Sequence, residues 1–185
     1  MTFALPPIET LPRLSQSEKV EVLDHLFEPC STLASILLPR VFNESFGSYV
    51  EFIERSRAEL LNFLVTVDSQ DDRISKIIAA HPRLGAPKPG TTKQETLSVH
   101  SSSEQRSLQG TPEEQAKLAG LNEKYEETFP GLRYVVFVNG RSRVVVMENM
   151  EERIARNDIE LEKKEAFNAM CDIALDRARK LGAKL

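Results

Sequence analysis

The chain has 185 residues, of which 41% are hydrophobic and 28% charged, with a formal net charge of -4. That length fits one domain with a core large enough to fold without disulfide or metal staples. The weak negative balance excludes a nucleic-acid binder working through a basic face, and leaves any anionic ligand to be held by local arginines or backbone donors.

Residues 1–14, with Pro6, Pro7 and Pro12, read as an extended lead-in. Residues 1–7 lack a basic stretch followed by an apolar core, so no secretory signal is expected, and no apolar run approaches the ~20 residues of a membrane span. Ser17 opens an amphipathic stretch with Val20, Leu23, Leu26 and Phe27 at helical spacing, ended by Pro29. Ser31 caps a second helix carrying Leu33, Ile36 and Leu37, which Pro39 stops or kinks. Residues 45–67 predict one long helix or two short ones. A polar turn over 68–72 then leads into a helix with Ile74, Ile77 and Ile78 on one face. That helix runs into His81-Pro82, and because a residue before proline is biased away from the helical region, His81 is expected at a helix end beside a bend.

Residues 85–103 are rich in Gly, Pro, Thr and Ser and read as a long loop, a class that is often functional. Ser101-Ser102-Ser103-Glu104-Gln105 suits a helix start. Thr111-Pro112-Glu113-Glu114 is the clearest local signal, a capping box with proline at the first helical position. It opens a helix carrying Leu118, Leu121, Asn122, Tyr125 and Phe129. Two valine-rich runs, residues 134–138 and 144–146, flank Asn139-Gly140, a dipeptide suited to a type I′ turn, so a small β-hairpin is expected over 133–147. A short helix over 148–155 follows. Asn157 then caps a last long helix with Leu161, Ala166, Phe167, Met170, Ile173, Ala174 and Ala178 inward. The sum is a mostly all-α, single-domain helical bundle over residues 1–185.

Cys30 and Cys171 lack metal-binding spacing and read as two free thiols in the core; with only three histidines no zinc site is expected. His25 reads as a boundary residue and His100 as part of the polar loop. His81, at its proline bend, has the residue type suited to proton transfer near neutral pH. Ser101 and Glu104 are three residues apart, on one helix face, and can point into one pocket or serve as capping residues. Arg153 and Arg156 end a helix, where a guanidinium either pairs on the surface or clamps a carboxylate.

The order His81-Pro82-Arg83-Leu84-Gly85, then Ser101-x-x-Glu104-Gln105, then Leu121-Asn122-x-x-Tyr125-x-x-x-Phe129 and Arg153 resembles the 2-oxo-4-hydroxy-4-carboxy-5-ureidoimidazoline (OHCU) decarboxylase family over most of the chain. The resemblance implies a nearly all-helical bundle that takes a small ureidoimidazoline substrate, needs no cofactor or metal, and in several members pairs as a homodimer. It implies His81 as the catalytic histidine, helped by Glu104. It assigns substrate contacts to Pro82, Ser101, Gln105, the Tyr134-Val135-Val136-Phe137 segment and Arg153, with Arg156 as the alternative arginine. A non-catalytic helical interaction module, or a lyase acting on another ureide, are the competing readings. Ala183-Lys184-Leu185 is a close variant of the Ser-Lys-Leu peroxisomal address and points to that compartment, otherwise to the cytoplasm.

Overall fold

The computed structural model describes residues 2–85, 99–106 and 110–183, with only the backbone of Arg106. Helices α1 (Gln16–Leu26), α2 (Ser31–Val41), α3 (Tyr49–Thr66), α4 (Asp72–Ala79), α5 (Val99–Arg106), α6 (Pro112–Thr128), α7 (Arg143–Arg156) and α8 (Ile159–Lys180) follow a short 3₁₀ helix, Ile8–Arg13. No described residue lies in a strand.

Most helix starts are fixed by local side-chain chemistry. Ser15, rather than Ser17, caps α1 in a reciprocal box with Glu18. Ser48, Asp71 and Thr111 cap α3, α4 and α6 by accepting a first-turn backbone N–H. At α2 the cap is the Cys30 sulfur, not Ser31, and Pro39 is accommodated within the last turn. Residues 45–67 thus yield one helix, α3, and the lead-in is partly wound because Leu11 reaches the core from the 3₁₀ turn.

Helix α8 is the spine. Its 22 residues span about 33 Å, and α3, α1 and α4 all pack on it, while α2 lies on α3 and α6 pairs with α7. Phe27, Phe42, Phe52, Phe129 and Phe167 are fully buried, and the ring of Phe52 meets Phe42, Phe46 and Tyr49 edge-on. Cys171 is buried in this core; Cys30 is half-buried, and both are free thiols.

The expected hairpin does not form; only its turn does. Asn139 and Gly140 both have positive φ (49° and 73°), and Arg141 N–H donates to Val138 O at 3.0 Å, so the turn exists as the dipeptide demands. Residues 134–138 run into it outside any helix or strand, and the second valine run does not pair back. Ser142 caps α7, and Val146, Met147, Met150 and Ile154 form its buried stripe. That periodicity continues beyond the three valines and overrides their β preference, at the cost of leaving Val144 and Val145 exposed.

Two other expectations shift. Asn157 ends α7 in the left-handed conformation (φ 51°), and Asp158 is the cap of α8, accepting from Leu161 N–H. Helix α5 begins at Val99, two residues before the serines expected to start it. The remainder of the expected 85–103 loop, residues 86–98, lies outside the described residues, as do Lys184 and Leu185 of the C-terminal tripeptide. Among the described residues no helix is long and apolar enough to cross a membrane.

Candidate active site

Helix α4 stops at Ala79 because Pro82 forbids the next turn; His81 N–H still reaches Ile78 O at 3.2 Å. The imidazole then projects from the bend into a cavity of about 340 Å³, a volume within the usual range for small-ligand pockets. Among the described residues four segments wall it: the bend itself, α5, the 134–138 strip with its turn, and the last turns of α8.

Nine of the ten residues singled out in the sequence line this one cavity: His81, Pro82, Ser101, Glu104, Gln105, Tyr134, Val135, Val136 and Phe137. His81 is only 4% exposed, and its Nε2 has no hydrogen-bond partner among the described residues. Burial, reinforced by the positive charges of Arg177 and Arg133, pushes its pKa down to about 3. The imidazole is therefore a neutral ring, with one deeply buried nitrogen that lacks a partner, in a residue that lines the cavity.

The charges that shift that imidazole are those of Arg177 and Arg133, and Glu104 engages the first of them. Its carboxylate receives a bidentate pair from Arg177, Nε to Oε1 at 2.9 Å and Nη2 to Oε2 at 3.0 Å. Arg177 is 1% exposed and also donates to Glu28 Oε1 (2.9 Å), to Phe27 O (2.5 Å) and to the Ser101 hydroxyl (3.3 Å). Ser101 in turn donates to Glu28. This buried network ties α5 to the end of α1 and to α8. Neither Glu28 nor Arg177 was singled out in the sequence, although Arg177 interrupts the apolar stripe of α8 between Ala174 and Ala178, where an unpaired charge is not tolerated. A second tie runs through the histidines: His25 Nδ1 and His100 Nε2 lie 3.1 Å apart, and Phe3 stacks on His25 at 3.7 Å. His100 is thus an ordered residue of α5.

Arg153 lies outside the cavity, behind its wall. It is 5% exposed, pairs with Glu162 (2.8 Å) and Glu165 (3.0 Å), donates from Nη1 to Val135 O (3.2 Å) and covers the Tyr134 ring at 4.7 Å. Fully buried Glu162 also takes Arg156 (2.8 Å) and the Tyr125 hydroxyl (2.5 Å). Arg153 braces the 134–138 strip while Arg156 pairs with Glu162 and Glu165, and Tyr134, whose hydroxyl donates to Asn149 Oδ1 at 2.6 Å, has its pKa pushed up to about 12 by burial. Among the described residues, the basic side chains that line the cavity itself are Arg179 and Lys180, both paired with Asp176 (2.8 and 2.7 Å).

Gly85 closes the bend with φ +86°, and a Cβ there would sit 2.9 Å from Leu118 Cδ2. Gly85→Ala is expected to cost about 1–3 kcal/mol from the left-handed backbone; thermal unfolding of that variant checks it, and an unchanged midpoint would show that the bend relaxes freely.

The arrangement offers a neutral buried base, a polar helix face and a strip of non-helical backbone around a small hollow. The OHCU decarboxylase family matches residues 12–179 of the chain. None of the curated proteins compared matches it. A solved structure described as the crystal structure of (S)-allantoin synthase superposes with a TM-score of 0.62 at 15% identity, covering 95% of this chain and 54% of that one. At that identity the likeness is one of fold, and the chain spans about half the length of that protein.

Proposed function

Since the chain belongs to the OHCU decarboxylase family, we propose that it acts as a carbon–carbon lyase of urate degradation, turning OHCU into (S)-allantoin and CO2. The observation that carries this reading is the neutral, buried imidazole of His81, unpartnered at Nε2, in the wall of the cavity.

In OHCU the carboxylate and a hydroxyl share a ring carbon next to a ring C=N bond. When the bond to the carboxylate breaks, its electron pair forms a double bond to the neighbouring carbon, and the C=N electrons move onto nitrogen, which takes a proton from solvent. The substrate holds its own electron sink. Neutral His81 accepts the hydroxyl proton as that oxygen becomes a carbonyl, and a proton is delivered to one face of the ureido-bearing carbon. That face decides the (S) configuration. The protein supplies orientation and electrostatics.

The substrate carboxylate enters a site whose field is set by Arg177 and Arg133, the two charges that depress the His81 pKa. Its negative charge opposes that field, so the imidazole becomes a stronger base once substrate is bound. No backbone N–H of residues 134–138 donates within the chain among the described residues, which leaves the strip's donors open to substrate oxygens. By the resemblance, Gln105 and Glu104, which both line the cavity, would be the partners of the ureido group, Glu104 while still paired with Arg177. A homodimer and a peroxisomal setting, the latter on Ala183-Lys184-Leu185, belong to the same proposal through the resemblance.

OHCU generated fresh decays spontaneously to racemic allantoin, so circular dichroism of the product separates the routes. The expected result is rapid loss of OHCU with (S)-allantoin in excess. Decay at the uncatalysed rate with racemic product would overturn the reading.

A further inference from the structure

The bend that carries His81 has no helix or strand to hold it, yet three side chains from three different elements bind its carbonyls in succession. Arg133, at the start of the strip, donates from Nη1 to His81 O at 2.8 Å and to Ala79 O at 3.3 Å. Gln105 of α5 donates from Nε2 to Arg83 O at 3.0 Å. Asn122 of α6 donates from Nδ2 to Leu84 O at 2.8 Å. Arg83 between them is fixed by Glu126, Nε to Oε1 at 2.8 Å. Every free carbonyl from the end of α4 to Leu84, apart from that of Pro82 and Ala80, thus meets a donor from elsewhere.

We propose that Arg133, Gln105 and Asn122 form a backbone clamp that aims the His81 imidazole into the cavity, with Arg133 the leading positioning residue. The clamp rests on the reading of His81 as the proton-transfer group, and adds the residues that make its geometry reproducible. A C-terminal carbonyl pair held by a guanidinium is a familiar way to end a helix, but bracing alone does not account for the other two members. Asn122 is 2% exposed, and its Oδ1 has no partner among the described residues. A buried amide with an unfilled acceptor is a poor choice for stability compared with an apolar side chain of the same size, so its value lies in the bond it makes to Leu84.

Arg133 has a second action on the same ring, since its charge adds to that of Arg177 in keeping His81 neutral. Among the described residues, the other charged or titratable groups around the cavity are Glu104 on α5, Tyr134 on the strip, and Asp176, Arg179 and Lys180 on α8, with Glu28 behind Arg177.

The test compares Arg133→Met, Arg133→Lys and Asn122→Leu by OHCU kinetics and by NMR titration of the His81 imidazole. Small misplacements of a reacting group cost up to about 100-fold in rate. Arg133→Met is expected to lower kcat roughly 10–100-fold with KM within about twofold, and to move the His81 titration upward. Arg133→Lys, which keeps donor and charge, restores most of both. Asn122→Leu lowers kcat while the His81 titration stays near the parent's, because no charge is lost. Unchanged His81 signals and kcat in Arg133→Met overturn the clamp, and so does a loss that Arg133→Lys fails to restore. Should the parent itself not turn over OHCU, the function falls while the NMR arm still decides the clamp.

Discussion

His81→Ala should lose about 10²–10⁴-fold in OHCU turnover, the usual worth of a positioned general base, and remain folded. The ring borders a hollow, so its removal enlarges an existing cavity instead of opening a new one in packed core, and it takes away a buried nitrogen that has no partner. Acid adds a second signature. The folded pKa of His81 is about 3 against an ordinary value of 6.5. Between those values the unfolded chain holds a proton that the folded chain refuses, so stability is fully present above pH 6.5 and drains away as pH falls toward 3. The slope from this one group is roughly 1.4 kcal/mol per pH unit. His81→Ala removes it, and the variant's melting temperature should therefore decline less steeply in acid than the parent's. Single-turnover assays and melting curves from pH 7 to pH 4 measure both effects. A variant with parental turnover would sink the catalytic assignment, and parallel acid limbs would show that the imidazole is not held neutral.

Much of the bundle was legible because its signals are local. Pro82 placed the end of α4 and the exposure of His81 to a bend, and Thr111-Pro112 placed α6. Asn139-Gly140 placed its turn through the positive φ it requires. The failures occur where tertiary contacts decide. Val144-Val145-Val146 has β preference, yet it is helical because the residues after it, Met147, Met150 and Ile154, need one buried face. Asn157 and Asp158 are both good caps, and only the chain reversal between α7 and α8 determines which one ends a helix and which begins one. The site divides the same way. The family pattern picked out the cavity lining, but not what the polar groups bind to. Glu104 and Ser101 were read as facing a ligand, and the structure shows them held by Arg177 and Glu28, whose sequence separation of 149 residues leaves no local trace. Arg153 is a similar case. A guanidinium near the end of a helix looks the same in sequence whether it faces a substrate or, as here, the back of the wall that a substrate would touch.

Arg177→Met should destabilise the protein by about 3–5 kcal/mol, the usual penalty for removing one partner of a buried ion pair. For a chain of this size that is a fall of roughly 6–20 °C in melting temperature. The reason lies in what stays behind. Glu28 is 5% exposed, and its carboxylate loses the Arg177 charge while keeping the Ser101 hydroxyl among its partners, and Phe27 O loses that donor. Glu104, with its side chain 28% exposed, can turn toward water and suffers less. Stability and activity should then separate in the double variant Glu28→Leu/Arg177→Met. Replacing a buried pair by apolar side chains of similar volume is often neutral or stabilising, so most of the lost melting temperature returns. Turnover does not, because Ser101 and Glu104 no longer have the arginine that docks α5 against the cavity. Differential scanning calorimetry and OHCU kinetics on the two variants provide the comparison. A single variant that melts within a degree or two of the parent would mean that Arg177 is not the tie between α1, α5 and α8, and a double variant with restored turnover would mean that α5 finds its place without it.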